Sequence, residues 1–132
     1  MNVFIVGAGP GDPELITVKG QKLLSEADVI IYAGSLVNPA LLDYAKAGCE
    51  IHNSASMTLP QVINVIEDSV KQGKMVVRLH TGDPSIYGAI QEQMDALDKL
   101  GIEYKVVPGV SSFLATAAAL KQEYTLPGIS QT

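Results

Sequence analysis

The chain has 132 residues, of which 47% are hydrophobic and 17% charged, a balance that predicts one folded domain and excludes a disordered chain. A net charge of −5 with only nine lysines and arginines excludes the basic surface that binds nucleic acid. One cysteine excludes an internal disulfide, and no apolar run approaches the about 18 residues of a membrane span. Because residues 1–4 lack the basic lead of a signal peptide, we expect a cytoplasmic protein without nucleic-acid or membrane partners.

The first half of the chain alternates short apolar runs with helical patterns. Continuous apolar runs are typical of buried parallel strands, and apolar residues three or four apart indicate helices. For the first helix, Asp12 with Pro13 and Thr17 are rival N-terminal caps. The predicted elements are, in order, a strand at 3–6, a helix at 14–25, a strand at 29–32, a short helix at 39–46 and a strand at 50–52.

The second half begins with a capping box, in which Thr58 precedes Gln61 by three residues and Pro60 lies in the first turn. Gly73 marks the end of that helix. Five strands then alternate with helices over the whole chain, which predicts an α/β fold with an open, mostly parallel five-stranded sheet flanked by helices. The later predicted elements are a strand at 75–79, a helical pattern at 86–100, a strand at 104–107 and a helix at 111–120.

A glycine-rich loop, "GAGPGDPE", follows the first strand and raises the question of a bound phosphate. It departs from the dinucleotide pattern G-x-G-x-x-G, because the third glycine comes one residue early and Asp12 takes its place. A carboxylate there repels a pyrophosphate, and no acidic residue follows the second strand to hold a ribose. A tight strand-to-helix turn explains the glycines alone, so we do not predict a phosphate site.

Two further loops share the composition of the first: "LHTGDPSIYG" after the fourth strand and "VPGVSS" after the fifth. Ligands of open parallel sheets bind where the strands reach their carboxyl ends, so the three loops should meet at one edge. Glycine allows close approach of backbone to a ligand, and proline fixes the loop shape in advance. Since none of these loops carries a lysine or arginine, the sequence predicts a neutral or cationic nucleoside as ligand.

The three segments "GAGPGDPELIT", "HTGDPSIYG" and "PGVSS", in this order and spacing, resemble the tetrapyrrole methylases of corrin and siroheme synthesis. A fourth, "YAGSLVNPALL", is similar to the precorrin-4 and cobalt-precorrin-4 C11-methyltransferases of cobalamin synthesis. The resemblance covers the whole chain. It implies two α/β domains with S-adenosylmethionine between them, of which residues 1–132 are the N-terminal one. It further implies a tetrapyrrole substrate methylated at carbon 11 and a homodimer of the full-length protein.

The resemblance also implies which residues bind the cosubstrate, whose product is S-adenosylhomocysteine. Backbone groups of the loops and one carboxylate are expected to make the contacts, and a carboxylate suits a sulfonium or amino group. The candidate cofactor-binding residues are Pro10, Thr81, Gly82, Asp83, Ile86, Ser111 and Ser112.

No catalytic residue is predicted. Uroporphyrinogen methylases of the family carry an aspartate just after the strand-two tyrosine, where this chain has Ala33-Gly34. Methyl transfer needs chiefly positioning and exclusion of water, so the missing nucleophile–base pair does not argue against an enzyme. Two alternatives stay open: methylation of another position or substrate by a relative of the same fold, and a non-catalytic Rossmann-like nucleotide-binding module.

The remaining polar residues carry weaker signals. Arg78 lies inside a strand, where a structural role or pairing is expected, and His80 is expected to bond to backbone rather than to substrate. Cys49 and His52 have a ligand-like spacing, but two ligands do not make a metal site, so none is predicted. Tyr87 either lines the pocket or packs on a helix. Asp28 is expected to be a turn residue. Asp95 and Asp98 are expected to lie on a solvated face of a helix.

Overall fold

The computed structural model describes residues 2–86 and 90–125. Five strands form one sheet in the order β3-β2-β4-β1-β5, and every pairing between them is parallel. This confirms the predicted α/β class. The strands are β1 (Val3–Gly7), β2 (Val29–Tyr32), β3 (Glu50–Asn53), β4 (Val76–His80) and β5 (Lys105–Val107).

Four α-helices of nine or more residues accompany the sheet in the described chain. The capping box is confirmed, because Gln61 N donates to Thr58 Oγ1 at 3.3 Å and Thr58 N donates to Gln61 Oε1 at 2.8 Å. The helices are α1 (Val18–Glu26), α2 (Leu59–Lys71), α3 (Gln91–Lys99) and α4 (Ser112–Leu120).

Two predicted helix starts are wrong. The helix predicted at 14–25 begins at Val18, because Thr17 caps α1 while Asp12 caps a separate 3₁₀ turn at Pro13–Leu15. The helical pattern predicted from residue 86 begins as α3 only at Gln91, and Ile86 is 48% exposed in the preceding loop. Residues 87–89, which include Tyr87 of that pattern, lie outside the described part. The short helix predicted at 39–46 is a 3₁₀ helix, Pro39–Tyr44.

The sheet is covered on both faces, as its apolar strands require. Successive side chains of a strand point to opposite faces, so Ile30 and Val77 join one buried cluster while Ile31 and Val76 join the other. All five residues of the central strand β4 are buried. Arg78 and His80 lie on the face of Val76, the face on which α2 and α3 pack.

Candidate active-site cleft

Backbone hydrogen bonds clasp the loops after β1 and β4 to each other. Ala8 N donates to His80 O at 2.6 Å, continuing the parallel ladder beyond the strands. Gly9 N then donates to Gly82 O at 3.2 Å, and Gly82 N donates to Gly9 O at 2.8 Å. These last two bonds form an isolated antiparallel bridge between the loops. Gly9 and Gly82 have φ values of 80° and 60°, a left-handed conformation that disfavours residues with a Cβ atom.

The Asp83 carboxylate fastens the third loop to the second. Its Oδ2 accepts a hydrogen bond from Gly109 N at 3.0 Å, and its Oδ1 accepts one from Ser85 N at 2.8 Å. Both carboxylate oxygens therefore have partners within the protein. The resemblance implied that Asp83 offers this carboxylate to the cosubstrate; in the structure both of its oxygens accept from loop backbones.

Gly7, Gly82 and Gly109 make the tightest backbone contact of the three loops. A Cβ atom added at Gly7 would lie 2.6 Å from Gly82 O and 2.7 Å from Gly109 Cα. A Cβ atom added at Gly109 would also collide with Gly82 O. Only residues without a side chain allow the loops to approach this closely.

The loops after β4 and β5 line one side of a cleft of about 690 Å³, a volume in the range of small-molecule sites. Six of the seven residues predicted to bind the cosubstrate line it, which are Thr81, Gly82, Asp83, Ile86, Ser111 and Ser112. The seventh, Pro10, is half-buried in the first loop and does not line the cleft. The other lining residues are Ala33, Leu36, Arg78, His80, Gln93, Phe113, Thr116 and Tyr124.

Ser111 and Ser112 differ in their surroundings although they are neighbours. Ser111 is buried and caps α4, since its Oγ accepts a hydrogen bond from Phe113 N at 3.2 Å. Ser112 is exposed in the first turn of α4. The polar atoms of Ser111 thus serve the fold, and Ser112 is the serine with a surface free to face a ligand.

Three buried polar side chains lie under the cleft. Arg78 is 6% exposed, His80 5% and Gln93 7%. Arg78 Nε donates to Gln93 Oε1 at 3.0 Å, and its Nη1 donates to Ile31 O at 3.3 Å. Gln93 Nε2 lies 3.4 Å from His80 Nε2. The His80 ring was expected to bond to backbone; in the structure it contacts the Gln93 amide instead.

The geometry determines the protonation of His80. Because Gln93 Oε1 accepts from Arg78, the Gln93 amide nitrogen faces His80 Nε2 as a donor, so that Nε2 accepts and carries no proton. Burial and the charge of Arg78 lower the pKa of His80 to about 4, which keeps the ring neutral at physiological pH. Burial also lowers the pKa of Arg78 to about 10, and the guanidinium stays protonated.

Exposed apolar side chains surround the mouth of the cleft. Leu36 is 76% exposed, Ile86 48% and Phe113 61%. The Phe113 and Tyr124 rings stack with centroids 4.4 Å apart, and the Tyr124 hydroxyl donates to Phe113 O at 2.7 Å. Large apolar groups at a concave site are suited to contact a ring system or a covering protein surface.

Gln93 lines the cleft and was not among the candidate residues predicted from the sequence. It occupies a position between the apolar residues Ile90 and Leu97 on one helical face, a spacing that points it inward. A polar residue at such a position is a signal for a buried hydrogen-bond network. The partner, Arg78, was visible in the sequence only as a charged residue within an apolar strand.

The other polar candidates lie away from the cleft. Asp28 is a turn residue as predicted, and its carboxylate accepts from Lys46 Nζ at 2.6 Å and from Met75 N at 2.8 Å. Asp95 and Asp98 are exposed on α3, as predicted. Within residues 2–86 and 90–125, no three His, Cys, Asp or Glu side chains are grouped as metal ligands. No helix in the same ranges has the length and apolarity to cross a membrane.

Comparison with known proteins gives concordant results for sequence and fold. Residues 2–132 match the family model of the tetrapyrrole (corrin/porphyrin) methylases. The cobalt-precorrin-4 C(11)-methyltransferase of Methanocaldococcus jannaschii is 65% identical over 130 residues, 98% of this chain and 50% of that protein. The chain spans about half the length of the curated relatives it matches.

Solved structures show the same fold. CbiF, a cobalt precorrin-4 methyltransferase described as a cobalamin biosynthetic enzyme, superposes with a TM-score of 0.94 at 52% identity, covering 98% of this chain and 54% of its own. A uroporphyrin-III C-methyl transferase from Thermus thermophilus, complexed with S-adenosyl homocysteine, superposes with a TM-score of 0.82 at 34% identity. That alignment covers 100% of this chain and 57% of the Thermus chain.

Proposed function

Because the chain belongs to the tetrapyrrole (corrin/porphyrin) methylases, we propose that it is the N-terminal domain of an S-adenosylmethionine-dependent methyltransferase acting on carbon 11 of precorrin-4 or cobalt-precorrin-4. The observation that carries this proposal is the cleft, which gathers six of the seven expected cofactor residues from two loops at one edge of the sheet. The named activity of relatives at 52–65% identity supports the choice of substrate and position.

The residues that line the cleft divide into two groups with respect to S-adenosylmethionine: some shape the loops, and others offer surface to the ligand. Gly82 and Asp83 shape the loops, because their polar groups are bonded to the other two loops. Ile86 and Ser112 are exposed and Thr81 is half-buried, so these three offer surface to the ligand. An apolar side chain packs on an adenine face, while hydroxyl groups satisfy its polar edges.

Bound S-adenosylmethionine supplies an activated methyl group on a sulfonium, and the residues of the chain have to position it and keep water away. The clasped loops suit positioning, because their hydrogen bonds and glycine contacts leave little freedom to adjust. The apolar rim of Leu36, Ile86 and Phe113 suits the exclusion of water once it is covered. No step in this account needs a general base from the described residues.

A second domain would cover the rim and complete the site. The chain spans about half of its relatives, and the side chains around the cleft mouth are exposed. We therefore expect the isolated 132 residues to be inactive and to bind the cosubstrate poorly, since a cleft formed on one side only leaves the ligand exposed to water. We further propose a homodimer for the full-length protein and a cytoplasmic location, with which the unpaired thiol of Cys49 agrees.

Methylation of uroporphyrinogen is the second candidate, favoured by the likeness to the Thermus enzyme. The loop after β2 argues against it. Ala33 borders the cleft. Its small apolar side chain occupies the position where the resemblance implies an aspartate in uroporphyrinogen methylases. The corrin substrate therefore remains the better match for this cleft.

Two measurements on the full-length protein test the proposal. Calorimetry with S-adenosylhomocysteine and with NAD should show binding of the adenosyl ligand alone; binding of NAD alone would favour a nucleotide-binding module. Assays with trimethylated and tetramethylated precorrins should yield a product methylated at carbon 11, and methylation at another carbon would overturn the substrate assignment.

A pair of variants tests the location of the cosubstrate. Ile86→Ala removes apolar surface from the cleft and should weaken S-adenosylhomocysteine binding about tenfold, because burial of a large aliphatic side chain contributes about 1.5–3 kcal/mol. Leu100→Ala is the matched control, because Leu100 is similarly exposed, at 45%, and lies outside the cleft. Equal affinities of the two variants would place the ligand elsewhere.

A further inference from the structure

Arg78 is a buried cation that borders the cleft. Its side chain rises from the central strand, is 6% exposed and contributes to the lining. Two of its hydrogen bonds are to neutral groups, the Gln93 side-chain oxygen and the Ile31 carbonyl. Such bonds orient a guanidinium without neutralising it.

No carboxylate of the described chain neutralises Arg78. The close contacts between basic and acidic side chains in the described ranges join Lys46 to Asp28, His52 to Glu50 and Lys71 to Glu67. The residues outside those ranges include no aspartate or glutamate. Asp83 borders the same cleft, but both of its oxygens accept from backbone N–H groups. Burial of an unpaired guanidinium is costly, and a carboxylate that enters the cleft would offset that cost.

Gln93 and His80 preserve that charge. The Gln93 amide holds Nε of Arg78 in a fixed direction and presents its own N–H to the unprotonated nitrogen of His80. The result is a network of neutral partners around a single positive group beside the cavity.

We propose that Arg78 binds a carboxylate of the ligand in the cleft, with Gln93 as the residue that positions the guanidinium. The inference rests on the proposed function, since a precorrin carries several carboxylates and S-adenosylmethionine carries one. The shared chemistry is a charge-assisted hydrogen bond between guanidinium and carboxylate, which Arg makes with better geometry than Lys. It differs from the sequence-based expectation of a structural role or pairing for Arg78.

The first test uses Arg78→Met in the full-length protein, a variant that removes the charge and keeps an unbranched apolar stem. We measure the affinity for S-adenosylhomocysteine, the affinity for 5′-methylthioadenosine, which lacks the carboxylate, and the KM for the precorrin. If the cosubstrate supplies the carboxylate, S-adenosylhomocysteine binding falls at least about tenfold while methylthioadenosine binding is unchanged. If the macrocycle supplies it, the precorrin KM rises by at least about tenfold while both adenosyl ligands bind as in the wild type.

The second test uses Gln93→Glu, which places a carboxylate on Arg78 within the protein. An internal partner should hold or raise the melting temperature and should weaken the same ligand that Arg78→Met weakens. A residue with only a structural role would not show these opposite effects, so this variant keeps the proposal testable if Arg78→Met fails to fold.

Two results overturn the inference. One is unchanged binding of all ligands in folded Arg78→Met or Gln93→Glu. The other is an equal loss for methylthioadenosine and S-adenosylhomocysteine, which would indicate general damage to the cleft. The wild-type measurements separate this inference from the proposed function, because a wild-type protein that binds neither adenosyl ligand contradicts the methyltransferase assignment itself.

Discussion

Substitution of Gly7 by alanine tests whether close backbone contact holds the cleft together. The added Cβ atom would lie 2.6 Å from Gly82 O, whereas ordinary contact begins at 3.4 Å, so the two loops must separate by about 0.8 Å. Gly7 does not have a positive φ, and its backbone conformation alone does not oppose alanine. The cost therefore comes from space, through overpacking and through stretched hydrogen bonds between Gly9 and Gly82.

Overpacking costs about 1–3 kcal/mol, and each weakened hydrogen bond about 0.5–1.5 kcal/mol. We expect Gly7→Ala to lower the free energy of unfolding by about 3 kcal/mol and the melting temperature by roughly 10 °C. Gly101→Ala is the control, because Gly101 has a φ of 67° but no atom within 4 Å of the added methyl group. It should cost only about 1 kcal/mol of left-handed strain. Thermal and urea unfolding measure both variants, and a Gly7→Ala protein as stable as Gly101→Ala would refute the reasoning.

Three further predictions concern the polar groups of the cleft. Asp83→Asn should lower the free energy of unfolding by about 2 kcal/mol, since an amide cannot accept from both backbone N–H groups; urea titration measures this, and an unchanged midpoint would contradict the fastening role. Ser111→Ala should cost about 1 kcal/mol through the lost cap of α4, whereas Ser112→Ala should leave the melting temperature unchanged; equal shifts would count against the cap. His80 binds a proton at pH 6.5 when unfolded but only near pH 4 when folded, so its contribution to stability is complete above pH 6.5 and is lost as the pH falls toward 4. The stability of the wild type relative to His80→Gln should fall by up to about 1.4 kcal/mol per pH unit in that window, and a pH-independent difference would contradict a buried neutral ring.

Local signals predicted most of the fold. The capping box at Thr58 and Gln61 depends on four consecutive residues, and the structure reproduces both of its hydrogen bonds. The apolar runs of β1, β2 and β4 became buried parallel strands, because a strand covered on both faces is mostly apolar, whereas β3 lies at the edge of the sheet and is mostly exposed. The order β3-β2-β4-β1-β5 depends on pairing between distant segments, and no local pattern encodes it.

The two wrongly predicted helix starts came from local patterns that match a helix although the folded chain does not form one at those residues. Ile86 is four residues before Ile90, the spacing of a helical face, yet it lies exposed in the loop before α3. Two possible caps, Asp12 and Thr17, were visible near the first helix, and the structure uses both in separate turns. Sequence alone does not say which of two adjacent caps begins the longer helix.

The composition of the loops predicted most of the residues that line the cleft, but not the hydrogen bonds that hold the cleft together. Loops rich in glycine and proline predicted a cleft at the carboxyl ends of the strands, and six of the seven candidate residues line one there, because parallel strands bring these ends together. The fastening role of Asp83 needs Gly109, which is 26 residues away, and the burial of Gln93 needs Arg78 on another element. Such pairings arise only when the chain is folded.

The bridge between Gly9 and Gly82 has a consequence for how this sequence can change over time. It joins two loops that are far apart in the chain, and each supplies both a donor and an acceptor to the other. An inserted or deleted residue in one loop would move its glycine out of register with the other. The lengths of the two segments are therefore tied, and natural variants should alter them jointly or leave both alone.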